Sequence, residues 1–152
     1  EGNDNTFTNM RIARVTMGIY LKSGANMMRN IHPLYSIYSP SYEKSYEFYV
    51  NQLGFAVRSD IPRPDRGDRI VNLVLDGLEL ELFIKPDYPE RVTNPEAKGL
   101  RHLAFHVENI EPAVAWLNSL GIATEPVRED KINGGRFTFF HDPDGLPLEL
   151  HE

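Results

Sequence analysis

From residue 30 onward the apolar and polar positions follow two periods. Residues 31–38 alternate as a short strand rich in Ile and Tyr. Ser41 then caps a predicted helix with Tyr42, Tyr46, Tyr49, Val50 and Leu53 on one stripe, ended by Gly54. Residues 55–59 read as a strand and residues 61–67 (Ile-Pro-Arg-Pro-Asp-Arg-Gly) as a loop. Residues 69–75 and 78–84 form a hairpin across Asp76-Gly77, a strong two-residue turn signal. Residues 85–98 carry three prolines and no period, the mark of a long connection able to act as a lid. The order then repeats. Residues 100–107 are a strand, and Asn109 caps a helix with Ile110, Ala113, Val114, Leu117 and Leu120 inward and Gly121 at its end. Pro112 falls in the first turn, where its missing N–H costs little. Residues 122–127, 136–140 and 146–151 close the series as strands.

The repetition extends to the letters. Asp76-Gly-Leu-Glu-Leu-Glu-Leu82 recurs as Asp144-Gly-Leu-Pro-Leu-Glu-Leu150, one substitution aside, at an offset of 68 (144 − 76). The helix ends agree as well, Asn51-Gln-Leu-Gly54 with Asn118-Ser-Leu-Gly121 at an offset of 67 (118 − 51). Each half reads strand–helix–strand–strand–strand, so the chain is an internal duplication. Residues 1–29 do not match the rest and are read as a leader or extra N-terminal segment. A single domain is expected over residues 30–152, its halves at about 30–85 and 99–152.

Composition narrows the class. An apolar fraction of 41% and a charged fraction of 25% in 152 residues suit one globular domain with a real core. A net charge of −6 without a basic tract argues against a nucleic-acid surface and favours a small-molecule partner. The absence of cysteine removes disulfides and thiolate chemistry. No stretch approaches the ~20 apolar residues of a membrane span, and no apolar signal core precedes the repeat. The default expectation is a cytoplasmic protein with no membrane partner.

Alternation places the candidate chemistry. Leu78, Leu80 and Leu82 point toward the helix layer, leaving Glu79 and Glu81 on the opposite face. Leu103, Phe105 and Val107 make the better core set of their strand, so His102 lies on the opposite face beside small Ala104. A Leu-Glu-Leu strand alone is an ordinary half-exposed strand, and a lone strand histidine is ordinary too. The duplication changes that weighing, because Glu81 and Glu149 hold equivalent positions. Two carboxylates brought to one site repel unless a cation sits between them. A histidine with carboxylates suits Ni²⁺, Zn²⁺, Mn²⁺ or Fe²⁺ with water completing five or six positions.

Several stretches now carry a resemblance. Gly99-Leu-Arg-His-Leu-Ala-Phe105 and the ending Phe137-Thr-Phe-Phe-His-Asp-Pro-Asp-Gly-Leu-Pro-Leu-Glu-Leu150 resemble the vicinal oxygen chelate superfamily. The helix over residues 42–55 and residues 89–97 look like its small bacterial glyoxalase I-like (lactoylglutathione lyase-like) members. The resemblance covers about residues 30–152. It implies an α+β fold of paired βαβββ modules, an eight-stranded open cup-shaped sheet with helices on the convex side, around one divalent metal ion. In such members each module supplies a His and a Glu ligand, and the matching positions here are Glu81, His102 and Glu149. The fourth position departs from the pattern. Subtracting 68 from His102 gives Leu34, with Tyr35, Ser36 and Ile37 matching Leu103, Ala104 and Phe105. Leucine cannot coordinate a metal. His32 faces the same side ~7 Å along the strand; a two-residue slide, with Pro33 disturbing the ladder, would bring it in as a ligand, and otherwise it is a rim histidine and Glu81, His102 and Glu149 remain as three ligands.

The implied activity is that of a metal-dependent isomerase or lyase. It converts the hemithioacetal of methylglyoxal and glutathione, or another thiol, to a lactoyl thioester through an enediolate. Glu149 is then the proton shuttle and Glu81 its paired catalytic carboxylate. Arg101 and Lys85 are candidates for holding carboxylates of the thiol, although Arg101 is expected to snorkel on the helix side. Arg63, Arg66 and Arg136 are read as solvated, and His106 and His141 as residues that tune the cup without ligating. Two alternatives stay open. One is a dioxygenase with two His and one Glu, which requires His32. The other is a metal-deficient small-molecule-binding member, for which Leu34 speaks. A homodimer is the expected assembly.

Overall fold

The computed structural model describes residues 33–132 and 134–152. Its first sheet is organised by β4 (Leu78–Ile84), whose residues alternate strictly between buried and half-buried. Leu80 and Leu82 are essentially inaccessible, each worth about 1.5–3 kcal/mol of burial. Parallel to β4 runs β1 (Leu34–Ser39), and antiparallel to it β3 (Asp68–Leu75), with β2 (Ala56–Arg63) outside β3. The β3–β4 turn places Asp76 at φ 45° and Gly77 at φ 84°, the left-handed pair that a two-residue hairpin needs. The second sheet comprises β5 (Leu103–His106), β6 (Arg128–Glu129), β7 (Arg136–His141) and β8 (Pro147–His151). The strand orders are β1-β4-β3-β2 and β5-β8-β7-β6. The second sheet repeats the connectivity of the first, as duplication requires. The class is α+β, with the eight strands shared between two open sheets of four.

Apart from a short 3-10 turn at Pro64–Arg66, each half has one helical segment among the described residues. The first begins as α1 (Tyr42–Tyr46), with Ser41 accepting the Lys44 N–H, and widens into a π-helical turn over Glu47–Gln52. This widening changes which residues face inward. Phe48 and Ser45 are buried beside Tyr49, whereas Tyr42 and Tyr46 are only half-buried, so a uniform 3.6-residue stripe misassigns the face. The second is α2 (Ile110–Ser119), with the expected inward face. Its cap differs from expectation. Asn109 makes no side-chain cap, and the Ile110 N–H donates instead to Glu152 at 2.8 Å.

Three strand boundaries are corrected. Residues 61–63, read as loop, continue β2, because β2 is an edge strand and tolerates Pro62. Residues 122–127 are not a strand, and only Arg128–Glu129 pair with β7. The preceding segment is held by the Glu125 N–H to the Phe139 carbonyl at 2.8 Å and by the Thr138 hydroxyl to the Glu125 carbonyl at 2.7 Å. Strand β5 starts at Leu103, so His102 sits one residue before it. The N-terminal segment and His32 lie outside the described residues.

A single apolar core joins the two halves. Phe48 meets Phe140 at 6.5 Å between ring centres, and the Tyr49 hydroxyl donates to Asp142 Oδ2 at 2.8 Å. Among the described residues no helix is long and apolar enough to cross a membrane.

Candidate functional site

The face of each sheet turned away from the core is the one on which alternation places the acids. In the second sheet Ala104 lies opposite Glu149, and Phe139 flanks Glu149 on the other side. His102 reaches this row from just before β5. Its Nε2 lies 3.0 Å from Glu149 Oε2, with about one fifth of each side chain exposed. The His102 ring meets Phe139 edge-on at 5.3 Å, which fixes the imidazole against the carboxylate. His102 Nδ1 is buried without a hydrogen-bond partner.

In the first sheet Ser36 lies opposite Glu81, as Ala104 lies opposite Glu149. The two carboxylates therefore occupy equivalent places. The Ser36 hydroxyl donates to Glu81 Oε2 at 2.9 Å. Leu34, opposite Glu79, stands where His102 stands in the second sheet and is half exposed on the open face. Glu79 itself is taken up by Arg58 at 2.6 Å.

The spacing of His102 and Glu149 suits a divalent ion. Nε2 and Oε2 are 3.0 Å apart, about the separation of two donors bound to one ion at ~2.1 Å and at right angles. An imidazole with a carboxylate is also the donor chemistry that borderline divalent metals take. Among the described residues no three His, Asp or Glu side chains converge for a metal. The structure thus brings His102 and Glu149 together and leaves Glu81 on the other sheet, bonded to Ser36.

The cationic candidates are mostly engaged elsewhere. Arg63 forks onto Asp68 at 2.6 and 2.7 Å and holds that carboxyl below its usual range. Arg136 opens β7, as the strand pattern predicts, but is not simply solvated, since it bonds Glu152 and Glu111. Arg101 is well exposed near Glu96 at 3.7 Å, rather than snorkelling on the helix side. Arg128 was not singled out from sequence. Its guanidinium covers Phe137 at 5.0 Å and Phe139 at 5.8 Å while pairing with Glu125 at 2.7 Å. The signal was available in the period-two pattern of residues 136–141, which puts both phenylalanines on the face of Glu149.

The comparisons agree with this architecture. Residues 31–150 match the model of the Glyoxalase/Bleomycin resistance protein/Dioxygenase superfamily. The uncharacterized protein YwkD of Bacillus subtilis (strain 168) is 52% identical over 127 residues, 83% of this chain and 98% of that protein. The uncharacterized protein YaeR of Escherichia coli (strain K12) is 45% identical over 82% of this chain and 97% of its own length. The crystal structure of a glyoxalase family protein from Enterococcus faecalis superposes with a TM-score of 0.76 at 48% identity, over 82% of this chain and 98% of that one. With its duplicated strand order and paired open faces, the chain belongs to the Glyoxalase/Bleomycin resistance protein/Dioxygenase superfamily.

Proposed function

We propose that the protein is a glyoxalase I-like, metal-dependent isomerase acting on a small vicinal-oxygen substrate such as a methylglyoxal–thiol hemithioacetal. The observation that carries this reading is the His102–Glu149 pair at 3.0 Å on an open sheet face, with Glu81 at the equivalent place in the other half. His102, Glu149 and Glu81 are the residues that would hold a divalent ion. When bound, the ion supplies Lewis acidity toward the two vicinal oxygens and acidifies the adjacent C–H. Glu149 takes that proton from one carbon and returns it to its neighbour, so that the reaction is an isomerisation with no net proton change. Phe139, edge-on to the His102 ring, would hold that imidazole beside Glu149 so that both would reach one ion.

Glu81 reaches such a site when a second copy of the chain lays its first sheet over the His102–Glu149 face. The homodimer is supported by the apolar residues exposed around Glu81. Leu34, Tyr38 and Ile61 are 50%, 62% and 49% accessible, apolar side chains that a partner's face would cover. The test is metal analysis of the purified protein together with thioester formation from the methylglyoxal–glutathione adduct. Bound Ni, Zn, Mn or Fe with turnover is the expected result. Absence of both metal and turnover favours the second reading, a metal-deficient small-molecule-binding member, which Leu34 at the fourth ligand position supports.

A further inference from the structure

Beyond the Glu81 and Glu149 row, each strand pair carries one further ring on either side. In the first sheet these are Tyr38 and Phe83, in register, with ring centres 5.7 Å apart and planes inclined by 56°. In the second they are His106 and His151, also in register, 5.3 Å apart and inclined by 56°. The positions are equivalent by the same offset of 68 (106 − 38 and 151 − 83). The duplication has kept the ring-on-ring geometry and exchanged a phenol and a phenyl for two imidazoles. Packing is conserved between the halves, and what distinguishes the second is coordinating nitrogen.

We infer that His106 and His151 form a second metal site, a two-histidine site for a borderline divalent cation such as Cu²⁺, Zn²⁺ or Ni²⁺. Two imidazoles sharing one tetrahedral ion at ~2.0–2.1 Å have ring centres about 5 Å apart, as this pair does. His151 Nε2 is buried and has no hydrogen-bond partner, an unmet need that among the described residues it shares only with His102 Nδ1. His106 is exposed, which leaves its ring free to rotate and admit the ion, with water completing the coordination. The nearest acid in sequence, Glu152, has its oxygens committed to Arg136 and to the Ile110 N–H, so the site stays neutral in its protein donors. Such a site prefers Cu²⁺, following the order of affinities for nitrogen ligands. It lies two residues along β8 from Glu149 and does not depend on that residue's proposed role.

The test is titration of the metal-free chain with Cu²⁺, read by electron paramagnetic resonance and by histidine ring signals in NMR. A Cu²⁺ centre with two coordinated nitrogens is expected in the His102→Ala variant, where the His102–Glu149 pair is lost. The double variant His106→Tyr, His151→Phe reproduces the ring pair of the first sheet and so keeps the packing while removing both donors. It is expected to lose that centre and to weaken binding by roughly tenfold or more. In the unaltered chain, substoichiometric Cu²⁺ is expected to broaden the His106 and His151 signals ahead of both His102 and exposed His141. Equal or earlier broadening of His102 or His141, or a two-nitrogen centre that survives when the double variant is made in the His102→Ala background, overturns the proposal. Because the NMR arm uses the native chain, the proposal remains testable should the variants fail to fold.

Discussion

Under the proposed function, Leu34 is the residue on which metal affinity would turn. It occupies the place of His102 in the first sheet, one alternation step before the Ser36–Glu81 row, and half of it is exposed. Replacing it by histidine, of similar size on a half-exposed position, removes little packing, so stability should stay within about 0.5 kcal/mol. The Leu34→His variant is expected to bind Zn²⁺ or Ni²⁺ more tightly, read by competition with a chromogenic chelator. Unchanged affinity would count against Leu34 as the vacant ligand position. Glu149 is the complementary residue, and Glu149→Gln keeps size and shape while removing the base. A fall in thioester formation by about 10²–10⁴ is expected, with a far-UV spectrum and melting temperature near those of the native chain. A variant that retains full turnover would remove Glu149 from the chemistry.

Among the elements, the π-helical turn and the β7–β8 turn carry the consequence. The widening at Glu47–Gln52 directs Tyr49 at Asp142, whose other oxygen accepts the N–H groups of Asp144 and Leu146 at 2.9 and 2.7 Å. Tyr49→Phe removes a buried hydrogen bond to a carboxyl group and should cost about 1.5–3 kcal/mol in chemical denaturation. The pH dependence follows from the shifts. Burial, then the neighbouring Asp142, raises the Tyr49 phenol well above 10. A raised folded value means stability is complete below the unfolded value and is lost as pH climbs through the folded one. The native chain should therefore lose stability above pH ~10 more steeply than Tyr49→Phe, and parallel curves would refute the assignment. Burial also raises the Asp142 carboxyl, so its share of stability is fullest in acid, below its unfolded value, and declines as pH rises through the raised one.

The same two elements show what could be read from the sequence. The duplicated Asp-Gly-Leu strand, the leucine faces and the His102–Glu149 row follow from a strict period of two, which tertiary contacts only reinforce. The inward turn of Phe48 does not, because a single π-turn shifts the helical phase without altering residue types. The length of β2 was hidden by Pro62, which reads as a breaker unless the strand is known to be an edge. That Glu152, and not Asn109, caps α2 depends on a contact between residues 42 positions apart, which no local pattern contains.

For the whole molecule, the proposed shared site makes a prediction of its own. If Glu81 of one copy faces His102 and Glu149 of another, Glu81→Gln and Glu149→Gln chains are each inactive alone. Mixed through a dissociating step, they should recover about a quarter of native activity. Half of the dimers are then heterodimers, and each of those has one intact site of two. No recovery, with dimers confirmed by light scattering, would place the site within one chain or exclude Glu81 from it.

The shared core has a further implication for how the chain came to be and how it comes apart. Phe48 and Tyr49 of the first half are buried against Phe140 and Asp142 of the second. Neither half can be melted while the other stays intact without exposing two large aromatic rings. Unfolding should thus appear as one calorimetric transition whose van't Hoff and measured enthalpies agree. A fragment of residues 33–85 alone should remain largely unfolded by circular dichroism. The duplication has left two copies that no longer have separate thermodynamic lives.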